Sequence, residues 1–296
     1  MRGRFGFGWV AFIAFMVVQA LGTFFEERSD RPPIRRPTLP PIHDEGPEES
    51  RGAAALPRLS PRDRAFTIET GPKGNGVGTA FAVRDDGIWI TARHVVDGCD
   101  RVGLVVERGR AIEVQRVQVH PRADIAVLWV KRRAPALSIA TAVLRERQAG
   151  FHFGFPQGEP GQVTSTLLGR RNMRTTGRYR QTEPVIAWAE RRRVPGTEQL
   201  GGISGGPAIN AAGEIIGVTV AASQRRGRVY TTAPATLAAM LQMAGIQAQG
   251  SPSARLNTQG PKSSNFVQYG TALRRQLTVA RVVCRVKKSG RRRRQI

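Results

Sequence analysis

The strongest constraint on this chain is a series of short apolar segments between residues 65 and 245, each interrupted by Gly, Pro or Asp. A first set spans 66–69, 78–83, 87–91, 102–106, 112–119 and 125–130, and a second spans 150–155, 163–168, 185–189, 215–221 and 229–232. Segments of this length and spacing read as strands of an all-β sandwich or barrel rather than as βαβ units. Only 234–243 has a helical period, with Leu237, Met240 and Leu241 on one stripe and Gly245 as its stop. Roughly 180 residues in about twelve strands suit two packed six-stranded antiparallel β-barrels with a C-terminal helix, large enough to bury a core without disulfides.

The flanks are of a different kind. Residues 5–25 form an apolar run in which Gln19 and Thr23 are the clearly polar members, preceded by Arg2 and Arg4 and followed by Glu26 and Glu27. The basic side stays cytoplasmic, which places the remainder of the chain in the cell envelope, periplasm or medium. The run is long enough to span a bilayer, which favours an anchor in residues 1–25. Val18-Gln19-Ala20 and Ala20-Leu21-Gly22 nevertheless carry small residues suited to signal cleavage. Residues 26–62 hold two Pro-Pro pairs and many charges and read as an extended stalk, with His43 a solvated side chain in it.

Charge becomes informative once it is located. The formal net charge is +24, and residues 251–296 hold 12 Lys/Arg with no acidic residue. A segment 247–296 of this composition reads as a basic, largely disordered tail open to contact with an anionic envelope polymer or lipid. Nucleic acid is disfavoured, because an exported chain is separated from the genome and no aromatic-rich basic motif is present. Two cysteines, Cys99 and Cys284, leave both a single bridge and two free thiols open.

Chemistry concentrates at three places in residues 63–246. Gly201-Gly202-Ile203-Ser204-Gly205-Gly206-Pro207 surrounds a serine with glycines, which let several N–H groups converge on one point. Taken alone it also satisfies the nucleophile elbow of α/β-hydrolases. That fold requires a histidine after the serine, whereas His43, His94, His120 and His152 all precede Ser204. A subtilisin-like order requires an α/β fold, which the strand pattern contradicts. His94, where an apolar strand runs into a turn, is the candidate base; His120 reads as a turn residue and His152 as a packed core side chain. Asp124 opens an apolar strand, where a carboxylate needs a partner such as an imidazole N–H. Asp97 and Asp100, in a Gly-containing turn, read as solvated. The chain suggests no metal and no cofactor.

Thr91-Ala92-Arg93-His94-Val95-Val96, Ala123-Asp124-Ile125-Ala126-Val127-Leu128 and Gly202-Ile203-Ser204-Gly205-Gly206-Pro207 resemble the three triad blocks of trypsin-like serine proteases. Separations of 30 residues from His94 to Asp124 and 80 from Asp124 to Ser204 are most similar to the bacterial high-temperature-requirement, or HtrA-like, branch. The resemblance implies a serine endopeptidase acting on proteins or peptides. Ser204 would be the nucleophile, His94 the base, Asp124 its orienter, and the N–H groups of Gly202 and Ser204 the oxyanion hole. Val220, Ala221 and Ala222 would wall the pocket for the residue before the cleaved bond and favour aliphatic side chains. Two departures are evident. Ile203 stands where the family usually has Asn or Asp, and no peptide-binding PDZ module is expected in the residues after 246. Ile203 is also the one feature that would suit a catalytically inactive trypsin-fold interaction module.

Overall fold

The computed structural model describes residues 53–196, 199–247 and 260–287. The first sheet contains β2 (Gly76–Arg84), β3 (Ile88–Thr91), β4 (Arg101–Glu107), β5 (Arg110–Glu113), β6 (Arg116–Val119), β7 (Ala126–Trp129) and β14 (Val279–Arg285). Their order is β5-β4-β14-β2-β3-β7-β6, antiparallel throughout. Between β5 and β6 the chain changes partners: Val114 N–H donates to Val102 and Gln115 N–H to Trp129. Counted as one bent strand, β5 and β6 therefore close this sheet into a six-stranded barrel.

The second sheet closes through its own pairings. β8 (Ala149–Gly154) meets β9 (Gly161–Gly177), then β10 (Gln181–Val194), β13 (Arg228–Thr232), β12 (Ile215–Ser223) and β11 (Pro207–Ile209), which returns to β8. β1 (Ala65–Thr70) adds in parallel to the far half of β9. The β9–β10 hairpin is longer than the expected 163–168 and 185–189, because its outer half is an arginine-bearing ribbon with a weak apolar signal.

Side chains explain the layering. In β2, Gly78 to Val83 are buried on both faces, since one face fills the first barrel and the other meets neighbouring elements. Trp89, Leu104, Leu128 and Val282 share one core cluster with Met173, Val185 and Tyr230. Phe81, Ile90, Phe153 and Ile209 share another with Leu237, Met240, Phe266 and Leu273. Strands of both barrels thus bury common apolar surface, at about 1.5–3 kcal/mol for each large side chain. Helix α2 (Pro234–Met243) buries Leu237, Met240 and Leu241, and the chain leaves it at Gly245, whose φ is +68°. A side chain there would be strained.

The C-terminal expectation requires correction. Residues 266–285 are folded, although the segment reads as a disordered basic tail. Helix α3 (Phe266–Arg275) buries Phe266, Tyr269, Gly270 and Leu273, spaced for one helical face. Strand β14 buries Val279, Ala280, Val282 and Cys284 and lies between β2 and β4 as the strand that completes the first barrel. Arg281 leaves the core and donates to Gly158 O at 2.8 Å. A disulfide joins Cys284 to Cys99, resolving the open pairing. Arg291 to Arg294 lie outside the described residues.

The N-terminal expectations fall mostly outside the described residues, including the apolar run 5–25 and His43. Among the described residues no helix is long and apolar enough to cross a membrane. The end of the stalk is docked rather than free: Leu56 N–H donates to Leu144 O, and Arg145 and Arg170 donate to the carbonyls of Ala53 and Pro57.

Candidate active site

His94 sits on a single helical turn, α1 (Arg93–Val96), where β3 ends. Three hydrogen bonds, two to Asp124 and one from Arg178, hold the turn. The His94 backbone N–H donates to Asp124 Oδ1 at 2.8 Å, and its Nδ1 lies 2.6 Å from Asp124 Oδ2. Arg178, at the tip of the β9–β10 hairpin, donates to the His94 carbonyl at 3.1 Å. With Nδ1–H directed at Asp124, Nε2 carries the free lone pair, the tautomer that a general base requires.

Electrostatics favour charge on this imidazole. Burial is the largest single influence and opposes it, but the Asp124 charge and hydrogen bond together prevail and raise the His94 pKa. Arg178 lowers it and Glu183 raises it by smaller amounts. The side chain keeps 29% of its surface exposed, so solvent still moderates the burial penalty.

Ser204 lies in the loop before β11, and that loop is fastened to the first barrel through Thr79 of β2. Thr79 N–H donates to Ser204 O at 2.8 Å, and its hydroxyl donates to Gly202 O at 2.8 Å while accepting from Phe155 N–H at 3.0 Å. The Thr79 carbonyl in turn accepts the hydroxyl of Thr91, three residues before His94, at 2.6 Å. Gly205 adopts φ +86°, and a Cβ there would stand 2.1 Å from Thr79 O and 2.9 Å from Ala92 N. Glycine is therefore required on both conformational and steric grounds. These contacts bring the serine loop against residues 91–92, at the base of the His94 turn.

The loop's amides divide into two groups. The N–H groups of Ile203, Gly205 and Gly206 donate to Leu200 O, Thr219 O and Ile203 O. Those of Gly202 and Ser204 have no protein acceptor among the described residues. Gly202 has φ +101°, and a Cβ there would stand 2.4 Å from Phe155 O. Ile203 is 1% exposed and packs beneath the loop with Leu200, Ala208, Ile216 and Trp188. Of the expected pocket residues, Val220 is buried at a bulge in β12, whereas Ala221 is half-buried and Ala222 exposed.

Among the described residues, the other two histidines, His152 and His120, behave as structural side chains. His152 is fully buried, with Nε2 2.8 Å from Ser165 Oγ and Nδ1 3.3 Å from Thr219 Oγ1, and burial pushes its pKa down to about 3. His120 accepts from Arg122 N–H within its own turn.

Two surroundings of the site differ from expectation. Asp97 is engaged rather than merely solvated, because the hairpin tip covers it: it accepts from Tyr179 O–H at 2.8 Å and from Arg93 Nε–H at 3.0 Å. Arg93 and Arg178 also lie 4.4 and 4.8 Å from the Tyr179 ring centre, stacking cation on aromatic face. Asp100 accepts from Lys287 N–H at 2.8 Å. Glu183 of β10 is 1% exposed and takes the Asp124 backbone N–H on both carboxylate oxygens, each at 3.0 Å. Its sequence signal was the one that marks Asp124, an acidic residue beside the apolar run 184–188.

Parts of this chain resemble known proteins. Residues 78–218 match the family described as trypsin-like peptidase domain. A DegP-like periplasmic serine endoprotease of Rhizobium meliloti is 29% identical over 175 residues, covering 56% of this chain and 33% of its own length. A protein of the same description from Halomonas elongata is 30% identical over 158 residues, covering 51% and 30%. The active form of the Rv3671c protease from M. tuberculosis, a solved structure, covers 68% of this chain and 97% of its own at 19% identity, with a TM-score of 0.48. The chain spans about a third of the length of the curated relatives it matches. The matched residues 78–218, which include His94, Asp124 and Ser204, are thus similar to a trypsin-like peptidase domain, with relatives of the HtrA/DegP kind.

Proposed function

We propose that this chain is an exported serine endopeptidase that cleaves envelope proteins or peptides through an acyl-enzyme on Ser204. The carrying observation is the His94–Asp124 pair, bonded through both Asp124 oxygens and set at the base of a serine loop with two uncommitted amides. Ser204 Oγ attacks the substrate carbonyl carbon while His94 Nε2 takes the hydroxyl proton, and Asp124 stabilises the imidazolium that forms. Negative charge then develops on the former carbonyl oxygen, where the N–H groups of Gly202 and Ser204 meet it; one such donor is worth about 3 kcal/mol. Collapse breaks the C–N bond as the imidazolium protonates the leaving amine. Water, deprotonated by His94, then releases the acyl group and restores Ser204.

Two observations support export. The matched DegP-like relatives are described as periplasmic, and the Cys99–Cys284 disulfide suits an oxidising compartment. The N-terminal apolar run would carry the chain there, as anchor or signal. The surface left at Ala221 and Ala222 favours small aliphatic side chains before the cleaved bond. The burial of Ile203 supports a packing role for that residue beneath the serine loop.

The test compares wild type with Ser204→Ala for casein hydrolysis and for labelling by a fluorophosphonate. Wild type should be labelled and active, and the variant neither. A folded wild type that is not labelled and cleaves nothing would overturn the proposal.

A further inference from the structure

The conventional triad ends at Asp124, yet in this chain a second carboxyl group lies directly behind it. Glu183 belongs to β10 of the second barrel, whereas Asp124 precedes β7 of the first. The two barrels therefore meet at one backbone N–H, shared between the Glu183 oxygens at 3.0 Å each. A buried main-chain N–H without an acceptor is costly, so this contact restricts where Asp124 can sit. With its main chain held from behind, Asp124 turns one oxygen to the His94 N–H and the other to Nδ1.

We propose, resting on the serine-protease reading, that Glu183 is a positioning residue for the His94–Asp124 pair, its carboxyl group clamping the Asp124 main chain so that both Asp124 oxygens face His94.

The surroundings of Glu183 say how its charge is handled. Asp124 faces it from the first barrel, His94 from α1, and Gln181 from its own strand, with Nε2 donating at 3.4 Å. Arg178 binds the His94 carbonyl and Arg93 reaches Gln181 Oε1 at 3.5 Å, but among the described residues no cation bonds the Glu183 carboxyl. Burial first, and then the Asp124 charge, push the Glu183 pKa up to about 8. Burial and the neighbouring negative charge thus favour the neutral form of Glu183. A protonated Glu183 still offers oxygen lone pairs to the Asp124 N–H.

The experiment uses the full chain with Glu183→Gln, which keeps an acceptor oxygen but cannot ionise, and Glu183→Ala, which removes the acceptor. Two readouts are needed: kcat and KM for peptide hydrolysis, normalised to the fraction labelled by fluorophosphonate, and the NMR titration of the His94 Nδ1 proton. Glu183→Gln should stay within about twofold of wild type at pH 7, and Glu183→Ala should lose about tenfold or more in kcat at unchanged KM. In wild type the His94 resonance should show a second step near pH 8 that Glu183→Gln lacks. A purely structural role would lower stability while leaving normalised kcat and the titration unmoved. Identical titrations in wild type and Glu183→Gln, or wild-type kcat in Glu183→Ala, would overturn the proposal. The NMR readout needs no turnover, so it decides this question even if the chain proves inactive. Should Glu183→Ala not fold, the Glu183→Gln titration decides alone.

Discussion

Replacing Cys99 and Cys284 together by serine should reduce stability substantially while sparing the His94–Asp124 pair. The bridge closes a loop between residues separated by 185 positions and ties the turn after α1 to the strand that completes the first barrel. In chain-entropy terms a cross-link over that distance removes about 5 kcal/mol of freedom from the unfolded chain. Residual structure in the unfolded ensemble lowers the figure, so a loss of about 3–5 kcal/mol is expected. The native state keeps most other contacts of β14. Val279, Ala280 and Val282 stay buried, Asp100 N–H still donates to Arg285 O, and Val286 N–H to Asn75 Oδ1. The assay is guanidinium unfolding of oxidised wild type, reduced wild type and the double serine variant, followed by tryptophan fluorescence. Oxidised protein should unfold at the highest denaturant concentration, and the other two should coincide at a lower one. His94 is held by Asp124 and Arg178 rather than through Cys99, so fluorophosphonate labelling of folded variant should persist. Superimposable unfolding curves for all three samples would refute the staple and the reasoning from loop length.

Two further outcomes follow from the site. Burial disfavours charge on His94, but the Asp124 charge and hydrogen bond outweigh it, and the pKa is raised. Since the base works only when neutral, kcat/KM should rise with pH through a midpoint above the ordinary imidazole value of about 6.5; a midpoint below it would contradict the assignment. Ile203→Ala should cost about 2–5 kcal/mol in thermal or chemical unfolding, because Ile203 is 1% exposed among the side chains beneath the serine loop. A near-neutral effect would mean that the loop does not rest on it.

The parts of the site legible in the sequence are those whose demands are local. A histidine at a strand exit, an aspartate leading into an apolar strand and a serine among glycines each announce themselves within a few residues. The supports did not, because they depend on register. Glu183 reaches Asp124 only because β10 runs well beyond 185–189, and Tyr179 reaches Asp97 only because the β9–β10 hairpin extends over α1. Thr79 looks like any strand threonine, yet it bonds Gly202 and Ser204, more than 120 positions away. The C-terminal segment misled for another reason. Charge averaged over its last 46 residues concealed a seven-residue strand in which buried Ala280, Val282 and Cys284 alternate with the less buried Arg281, Val283 and Arg285.

That strand alters how the domain should be bounded and how its site is held. β1, before the first barrel in sequence, lies on β9 of the second, and β14, after the second barrel, lies inside the first. The chain thus crosses between the barrels at both ends as well as in the middle. His94 and Asp124 belong to the first barrel and Ser204 to the second, so any sliding between barrels would separate the proposed base from the proposed nucleophile. Two crossed strands oppose that motion over whole ladders of hydrogen bonds, whereas the Thr79 bridges and the Glu183 clamp oppose it at single points. Long-range pairing of this kind slows folding, since loop entropy is lost before the contacts form. In return the native state gains a site whose two halves are held together by the topology itself. The basic charge fits the same picture. Arg275 and Arg285 face outward, whereas Arg274 and Arg281 are half-buried and donate to Gln162 Oε1 and Gly158 O of the second barrel, so part of this segment's charge is surface and part of it is a tie between barrels.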